Sequence, residues 1–85
     1  MYKNHAADGR LNISGHNVAR LRKSLRPPVS QRALADRLQL VGVDLDKNAV
    51  QRIESGQRFV TDIELLALAR ALNVSSDQLL ATEQD

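Results

Sequence analysis

The most informative stretch of this sequence is Asp46-Lys47-Asn48-Ala49-Val50-Gln51-Arg52-Ile53-Glu54-Ser55-Gly56. Asp46 can cap a helix, because its side chain accepts hydrogen bonds from the free N–H groups of a first turn. Gly56 can end a helix, because glycine adopts the left-handed conformation at little steric cost. The apolar residues between them share one face at helical spacing, and they are Ala49, Val50 and Ile53. The stretch therefore predicts a short helix over residues 46–55 with a narrow apolar seam.

The other face of this helix is rich in hydrogen-bond donors and has no negative charge. It carries Lys47, Asn48, Gln51 and Arg52. Such side chains match the base edges and phosphates of a DNA major groove. A core helix usually has a wider apolar face, so the pattern favours a helix that reads DNA, with these side chains as candidate base contacts.

Composition excludes several classes of site. A chain of 85 residues forms one small domain with a modest core. The absence of cysteine excludes disulfides, thiolate zinc sites and thiol nucleophiles. His5 and His16 are the only histidines, and neither has a partner at the spacing of a metal site or a catalytic triad. We therefore expect no enzymatic activity, no metal, no cofactor and no small-molecule ligand.

The stretch from Asp44 to Ser55 begins like a calcium-binding loop. Asp44 and Asp46 alternate with Asn48 as in such loops, but the sixth position is Ala49 instead of glycine and the twelfth is Ser55 instead of glutamate. Both are positions where calcium loops need a particular residue. We therefore interpret this stretch as a helix cap.

Charge and hydropathy indicate the environment of the protein. No apolar run has the length of a signal sequence or a membrane span, so we expect a cytoplasmic protein with no membrane partner. The formal net charge is only +2, but basic residues dominate from 10 to 37 and acidic residues from 61 to 85. This asymmetry fits a polyanion bound on one side, although a solvated basic helix face explains it equally well.

Helical periodicity recurs along the chain and predicts an all-α fold with five helices. The helices are expected over 14–25, 31–40, 46–55 and 62–72, with a short one after Ser75. Ser30, Thr61 and Ser75 are expected to cap helices as Asp46 does. The helix over 62–72 is apolar around most of its circumference and is expected to be the central core helix. We expect a flexible arm over 1–13, a domain over 14–81 and a tail over 82–85.

The ordered set of motifs resembles the Cro/repressor-type (XRE) helix-turn-helix family. In this sequence the set of motifs consists of Val29-Ser30-Gln31 with Leu34-Ala35, Ile53-Glu54-Ser55-Gly56, the stretch from Glu64 to Leu72, Val74-Ser75 and Leu79-Leu80. The resemblance implies a compact five-helix, lambda-repressor-like DNA-binding domain whose second and third helices form the motif, with the third in the major groove.

The resemblance also implies roles for individual residues. Lys47, Asn48, Gln51 and Arg52 match positions that face bases or flanking phosphates. Gln31 and Arg58 match phosphate contacts, and Arg22 and Glu54 match a pair that bridges the first and third helices. The connections around Pro27 and Gly42 are longer than is typical of the family.

The expected function is sequence-specific binding of double-stranded DNA by a transcriptional regulator, a repressor, acting as a homodimer. Two alternatives stay open: an antitoxin that uses the same DNA surface, and a protein-interaction module on the same fold. For the dimer contact, the sequence suggests the segment from Val74 to Leu80, where Leu79 and Leu80 are adjacent on a short helix. The alternative is that both leucines pack inward.

Overall fold

The computed structural model describes residues 5–82, which fold into five helices with no strand in that range. The helices are α1 (Gly15–Ser24), α2 (Gln31–Leu40), α3 (Lys47–Glu54), α4 (Asp62–Leu72) and α5 (Ser76–Leu80). The predicted all-α, five-helix fold is confirmed. The first part of the expected arm, residues 1–4, and most of the expected tail, residues 83–85, lie outside the described residues.

The N-termini of α2 to α5 are capped as the sequence predicts. The side chains of Ser30, Asp46, Thr61 and Ser75 each accept a hydrogen bond from the backbone N–H three residues later. Helix α1 is different, since Ser14 makes no side-chain cap bond. Instead, Asn12 Oδ1 accepts a hydrogen bond from the Gly15 N–H at 2.8 Å.

The C-terminus of α2 explains why its connection to α3 is long. Gly42, at φ 93°, donates to the Gln39 carbonyl at 3.1 Å, and Val43 donates to the Leu38 carbonyl at 3.0 Å. These are the two bonds of a Schellman motif, which satisfies the last carbonyls of a helix. Leu45 then enters the core before Asp46 caps α3. The extra residues thus build a helix stop and an apolar anchor.

A single apolar core lies between the helices. Its fully buried members are Val18, Leu34, Leu38, Val50, Ile53, Leu68, Leu72 and Leu79. Helix α2 packs against α3 and α4, and α1 packs against α3, α4 and α5. No helix in the described part of the chain is long and apolar enough to cross a membrane.

The expectation that α4 is the central core helix holds for only one side of the helix. Leu68 and Leu72 do lie in the core, but on the opposite side of the helix Ile63 is 70% exposed and Leu66 is 51% exposed. Only part of the apolar circumference faces the other helices. The small size of the domain is the reason, since the four other short helices cannot surround α4.

Candidate nucleic-acid interface

The outer face of α3 is an exposed surface of unpartnered donors. Lys47, Asn48, Gln51 and Arg52 are all exposed, and within residues 5–82 none of their side chains forms a hydrogen bond or an ion pair. They occupy two adjacent rows of the helix, because residues four apart lie above one another. An eight-residue helix is about 12 Å long and narrow enough to enter a major groove. All of these donors are free to meet a ligand.

The inner face of α3 fixes the direction of that surface. Ala49, Val50 and Ile53 are buried in the core, as the sequence predicts. Because these three side chains are held on one side, the helix cannot rotate about its axis without exposing them. Packing therefore orients the outer face toward solvent.

A largely buried polar cluster connects the end of α3 to α1 and to the start of α2. Arg22 Nε donates to Glu54 Oε2 at 2.7 Å, and Arg22 Nη2 donates to Glu54 Oε1 at 2.9 Å. Gln31 Nε2 donates to the same Oε1 at 3.0 Å, and Arg22 Nη1 donates to the Val29 carbonyl at 3.0 Å. The hydrogen bond to Glu54 raises the pKa of Arg22. The structure thus brings Arg22, Glu54 and Gln31 together.

The position of Arg22 differs from what the helical pattern alone suggests. Its neighbours Arg20 and Lys23 on α1 are exposed, whereas Arg22 is only 9% exposed. A buried guanidinium requires a close counter-charge and satisfied donors. Glu54 supplies the charge from a point 32 residues away, which periodicity within α1 cannot reveal.

The segment before α1 forms a clasp on the end of α3, defined here as residues 10–12. Arg10 Nη2 donates to the Glu54 carbonyl at 2.6 Å. Asn12 Nδ2 donates to the carbonyls of Ile53 at 3.0 Å and Arg58 at 2.8 Å. The carbonyls of Ile53 and Glu54 belong to the last turn of α3, where helix acceptors lack intrahelical partners. The sequence suggests a flexible arm over 1–13, but these contacts hold its second half against the domain.

The sequence pattern does not predict the clasp. Residues 10–12 have no periodicity, and a single arginine and asparagine there look like ordinary surface residues. Gly15 is the residue near the clasp whose identity could have indicated a close contact between α1 and α3. A Cβ at Gly15 would overlap the Ile53 carbonyl oxygen, so only glycine allows α1 to begin this close to α3.

Arg58 lies just beyond α3 and is already bonded within the protein. Its Nη1 and Nη2 atoms donate to Glu64 Oε1 and Oε2 at 2.9 and 3.0 Å. These hydrogen bonds lower the pKa of Glu64 and raise that of Arg58. Both residues implied as phosphate contacts, Gln31 and Arg58, thus have carboxylate partners. A guanidinium has five N–H donors, so Arg58 keeps some for another acceptor.

A groove of about 440 Å³ separates α2 from the start of α3. Arg32 and Asp36 line it from α2, and Lys47 and Asn48 line it from α3. Over residues 5–82, no group of three or more histidine, aspartate or glutamate side chains could hold a metal ion. The groove borders the outer face of α3 and makes the region between the two helices concave.

Comparison with known proteins gives one match. The profile of a family described as "Helix-turn-helix domain" matches residues 6–82. No curated protein and no solved structure matches the chain. The matched region includes the clasp as well as all five helices.

Proposed function

The chain belongs to the helix-turn-helix domain family, and from that premise we propose that it is a transcriptional repressor that binds specific sequences in double-stranded DNA. The proposal rests on the outer face of α3, where four donor-bearing side chains are exposed and unpartnered within residues 5–82. Buried donors would have partners inside the protein. Donors that are held in place and left free are suited to an external acceptor.

The proposed reading of bases follows from the donor geometry of each side chain. Asn48 can form two hydrogen bonds with an adenine, because its amide both donates and accepts. Lys47 and Arg52 can donate to the O6 and N7 acceptors of guanine. Gln51 lies between these positions and is assigned to a neighbouring base or phosphate. The helix therefore recognises a short site in the major groove.

We assign phosphate contacts to Gln31, at the start of α2, and to Arg58, in the loop that follows α3. Each is partly exposed and retains hydrogen-bond donors beyond those that bind Glu54 or Glu64. Phosphate contacts position a protein on DNA without reading its sequence. The bonds to carboxylates orient these two side chains before DNA arrives.

A homodimer is the proposed active form. One recognition helix reads only a few base pairs, too few to identify one site among the many competing sites of a genome. Two copies on half-sites about one helical turn apart solve this problem. Occupancy of such a site can block transcription with no further contact, which is why we assign repression. A protein with this role is expected to act in the cytoplasm of a cell that keeps its DNA there.

The test is selection of bound duplexes from a random pool by the purified protein. We expect enrichment of a short sequence that occurs twice, with centres about 10 base pairs apart. The matched control replaces Lys47, Asn48, Gln51 and Arg52 with alanine, which leaves the core untouched and should abolish enrichment. If the unchanged protein enriched no sequence, sequence-specific binding would be wrong and the protein-interaction module would be favoured.

A further inference from the structure

The solvent side of α4 carries two exposed large apolar side chains. Ile63 is 70% exposed and Leu66 is 51% exposed, one turn apart. Phe59, in the loop that leads into the helix, is 48% exposed. Contiguous exposed apolar patches mark interaction sites, and Ile63 and Leu66 lie one turn apart on the same face of α4. None of these residues has a place in the proposed contact with DNA.

Two opposite charges flank this apolar face. Asp62 and Arg70 are each four residues from Leu66, in opposite directions, so they lie on the same face about 6 Å to either side of it. Both are exposed, and within residues 5–82 neither side chain forms a hydrogen bond or an ion pair. The face thus has an acid at one end, leucine at its centre and a base at the other end.

We propose that this face, which consists of Asp62, Ile63, Leu66 and Arg70, is the surface on which a second copy of the chain docks. A two-fold axis through Leu66 would place the two α4 helices antiparallel. Asp62 would then meet Arg70 of the partner subunit, and Arg70 would meet Asp62 of the partner subunit. A two-fold interface must be complementary to itself, and this charge pattern has that property.

The symmetry of the pattern selects a second copy over an unrelated partner. An unrelated partner would not require opposite charges at equal distances from a central leucine. The segment suggested by sequence, from Val74 to Leu80, offers less apolar surface, because Leu79 is fully buried and only Leu80 is 40% exposed.

The size of the face also predicts how the dimer behaves. Stable interfaces usually bury about 800 Å² on each partner, which involves some 20–30 residues. A face of two apolar and two charged side chains is much smaller. We therefore expect a weak dimer in the free protein that becomes complete on DNA. The inference rests in this respect on the proposed function, while the contact itself can be tested without DNA.

A cysteine cross-link tests the position of the axis. The chain has no cysteine, so Leu66→Cys introduces a single thiol at the proposed axis. Two thiols on a two-fold axis come within the short distance that a disulfide needs. Under mild oxidation, Leu66→Cys should form a covalent dimer at least about tenfold faster than the exposed control Leu80→Cys. Equal rates for the two variants would overturn the proposal.

Charge exchange tests the predicted pairs. Asp62→Arg and Arg70→Asp each place like charges opposite one another, so each should weaken self-association by about tenfold. The double variant restores opposite pairs and should recover association to within about threefold of the original protein. Sedimentation of the free protein at high concentration measures both effects. Failure of the double variant to recover, although it is folded, would overturn the proposed pairing.

Binding to DNA separates this inference from the proposed function. On a duplex with two half-sites, the single charge variants should bind more weakly than the original protein, whereas on one half-site all forms should bind alike. If the original protein bound no duplex, the proposed function would fail and sedimentation would still decide the interface. If the single variants kept full affinity for the two-site duplex, the proposed interface would be wrong.

Discussion

The two faces of α3 differ in how completely their side chains are engaged. On the inner side, Val50 and Ile53 are fully buried and Glu54 accepts hydrogen bonds from Arg22 and Gln31. On the outer side, every polar side chain is exposed and, within residues 5–82, unpartnered. One helix therefore combines a fixed position with free donors. The proposed recognition of DNA would use this combination, because a fixed backbone lowers the entropy cost of binding.

Arg22 and Arg52 are the same residue type but differ in whether the side chain has a partner inside the protein. Arg22 is buried and donates to Glu54 and to the Val29 carbonyl, while Arg52, on the same helix as Glu54, is exposed and has no partner within residues 5–82. The first has a structural role because its charge is neutralised inside the protein. The charge of Arg52 has no partner in the described residues and is available to an external ligand. Residue type alone does not distinguish these roles.

The largest expected effect on stability comes from Glu54, on the inner side of α3. Glu54→Ala leaves the guanidinium of Arg22 buried without its counter-charge, since the two side chains are only 11% and 8% exposed. Loss of one partner of a buried ion pair typically costs about 3–5 kcal/mol. Urea unfolding should show a decrease of this size in the free energy of unfolding.

A double variant shows whether the unpaired charge is the cause. Arg22→Met combined with Glu54→Leu removes both charges together and should be more stable than Glu54→Ala alone. A loss of less than about 1 kcal/mol for Glu54→Ala would show that the pair behaves like a surface ion pair, and the contrast between the two faces would fail.

The next effect concerns apolar packing of the same face. Ile53→Ala removes a fully buried side chain and should lower the free energy of unfolding by about 2–5 kcal/mol. Gln51→Ala, on the outer face of the same helix, is the matched control and should change it by no more than about 0.5 kcal/mol. Thermal melts of both variants measure the difference. Similar losses for both would mean that the outer face also supports the fold.

On the outer face, Asn48→Ala should affect binding and leave stability unchanged. The variant should lose about 1–3 kcal/mol of binding free energy on the preferred duplex and relax recognition at one base position. Titration of the selected duplex and of single-base variants of it measures both effects. Equal weakening on the preferred duplex and on random DNA would remove Asn48 from base recognition.

Arg58 both pairs with Glu64 inside the protein and keeps donors for DNA. Its loss should have a smaller effect on DNA affinity, and that effect should not depend on sequence. Arg58→Ala should weaken binding to all duplexes alike and reduce the slope of log K against log salt by about one unit, since one phosphate contact is lost. Gln57→Ala, at the exposed neighbouring position, is the control. An unchanged slope would show that Arg58 serves only to hold Glu64.

The smallest expected effect is a pH dependence from Glu64. Hydrogen bonds from Arg58 lower the pKa of Glu64 below its ordinary value of 4.5 in the folded state. As the pH falls, Glu64 is therefore protonated in the unfolded chain before it is protonated in the folded protein. The lowered pKa thus stabilises the folded protein above pH 4.5, and this contribution is lost as the pH falls through the lowered pKa. Glu64→Gln should make the fall in stability from about pH 5 to pH 3 shallower. An identical pH profile for both proteins would contradict the role of this carboxylate.

Local signals account for most of what could be predicted. The capping residues Ser30, Asp46, Thr61 and Ser75 were read from the sequence because each acts on the helix that it begins. The buried face of α3 followed from helical spacing for the same reason. The outer face followed as its complement. Each of these features depends on residues within a few positions of one another.

The remaining features depend on residues that are distant in sequence. Arg22 is buried because Glu54 meets it from 32 residues away, and Arg10 holds the end of α3 from 44 residues away. Leu66 is exposed although Leu68 is not, because the other helices cover only one side of α4. Helix type, helix ends and the amphipathic face of α3 therefore follow from short-range chemistry in the chain. Packing between helices decides the rest. It determines which charges are neutralised, which carbonyls accept hydrogen bonds from the clasp and which apolar face stays exposed.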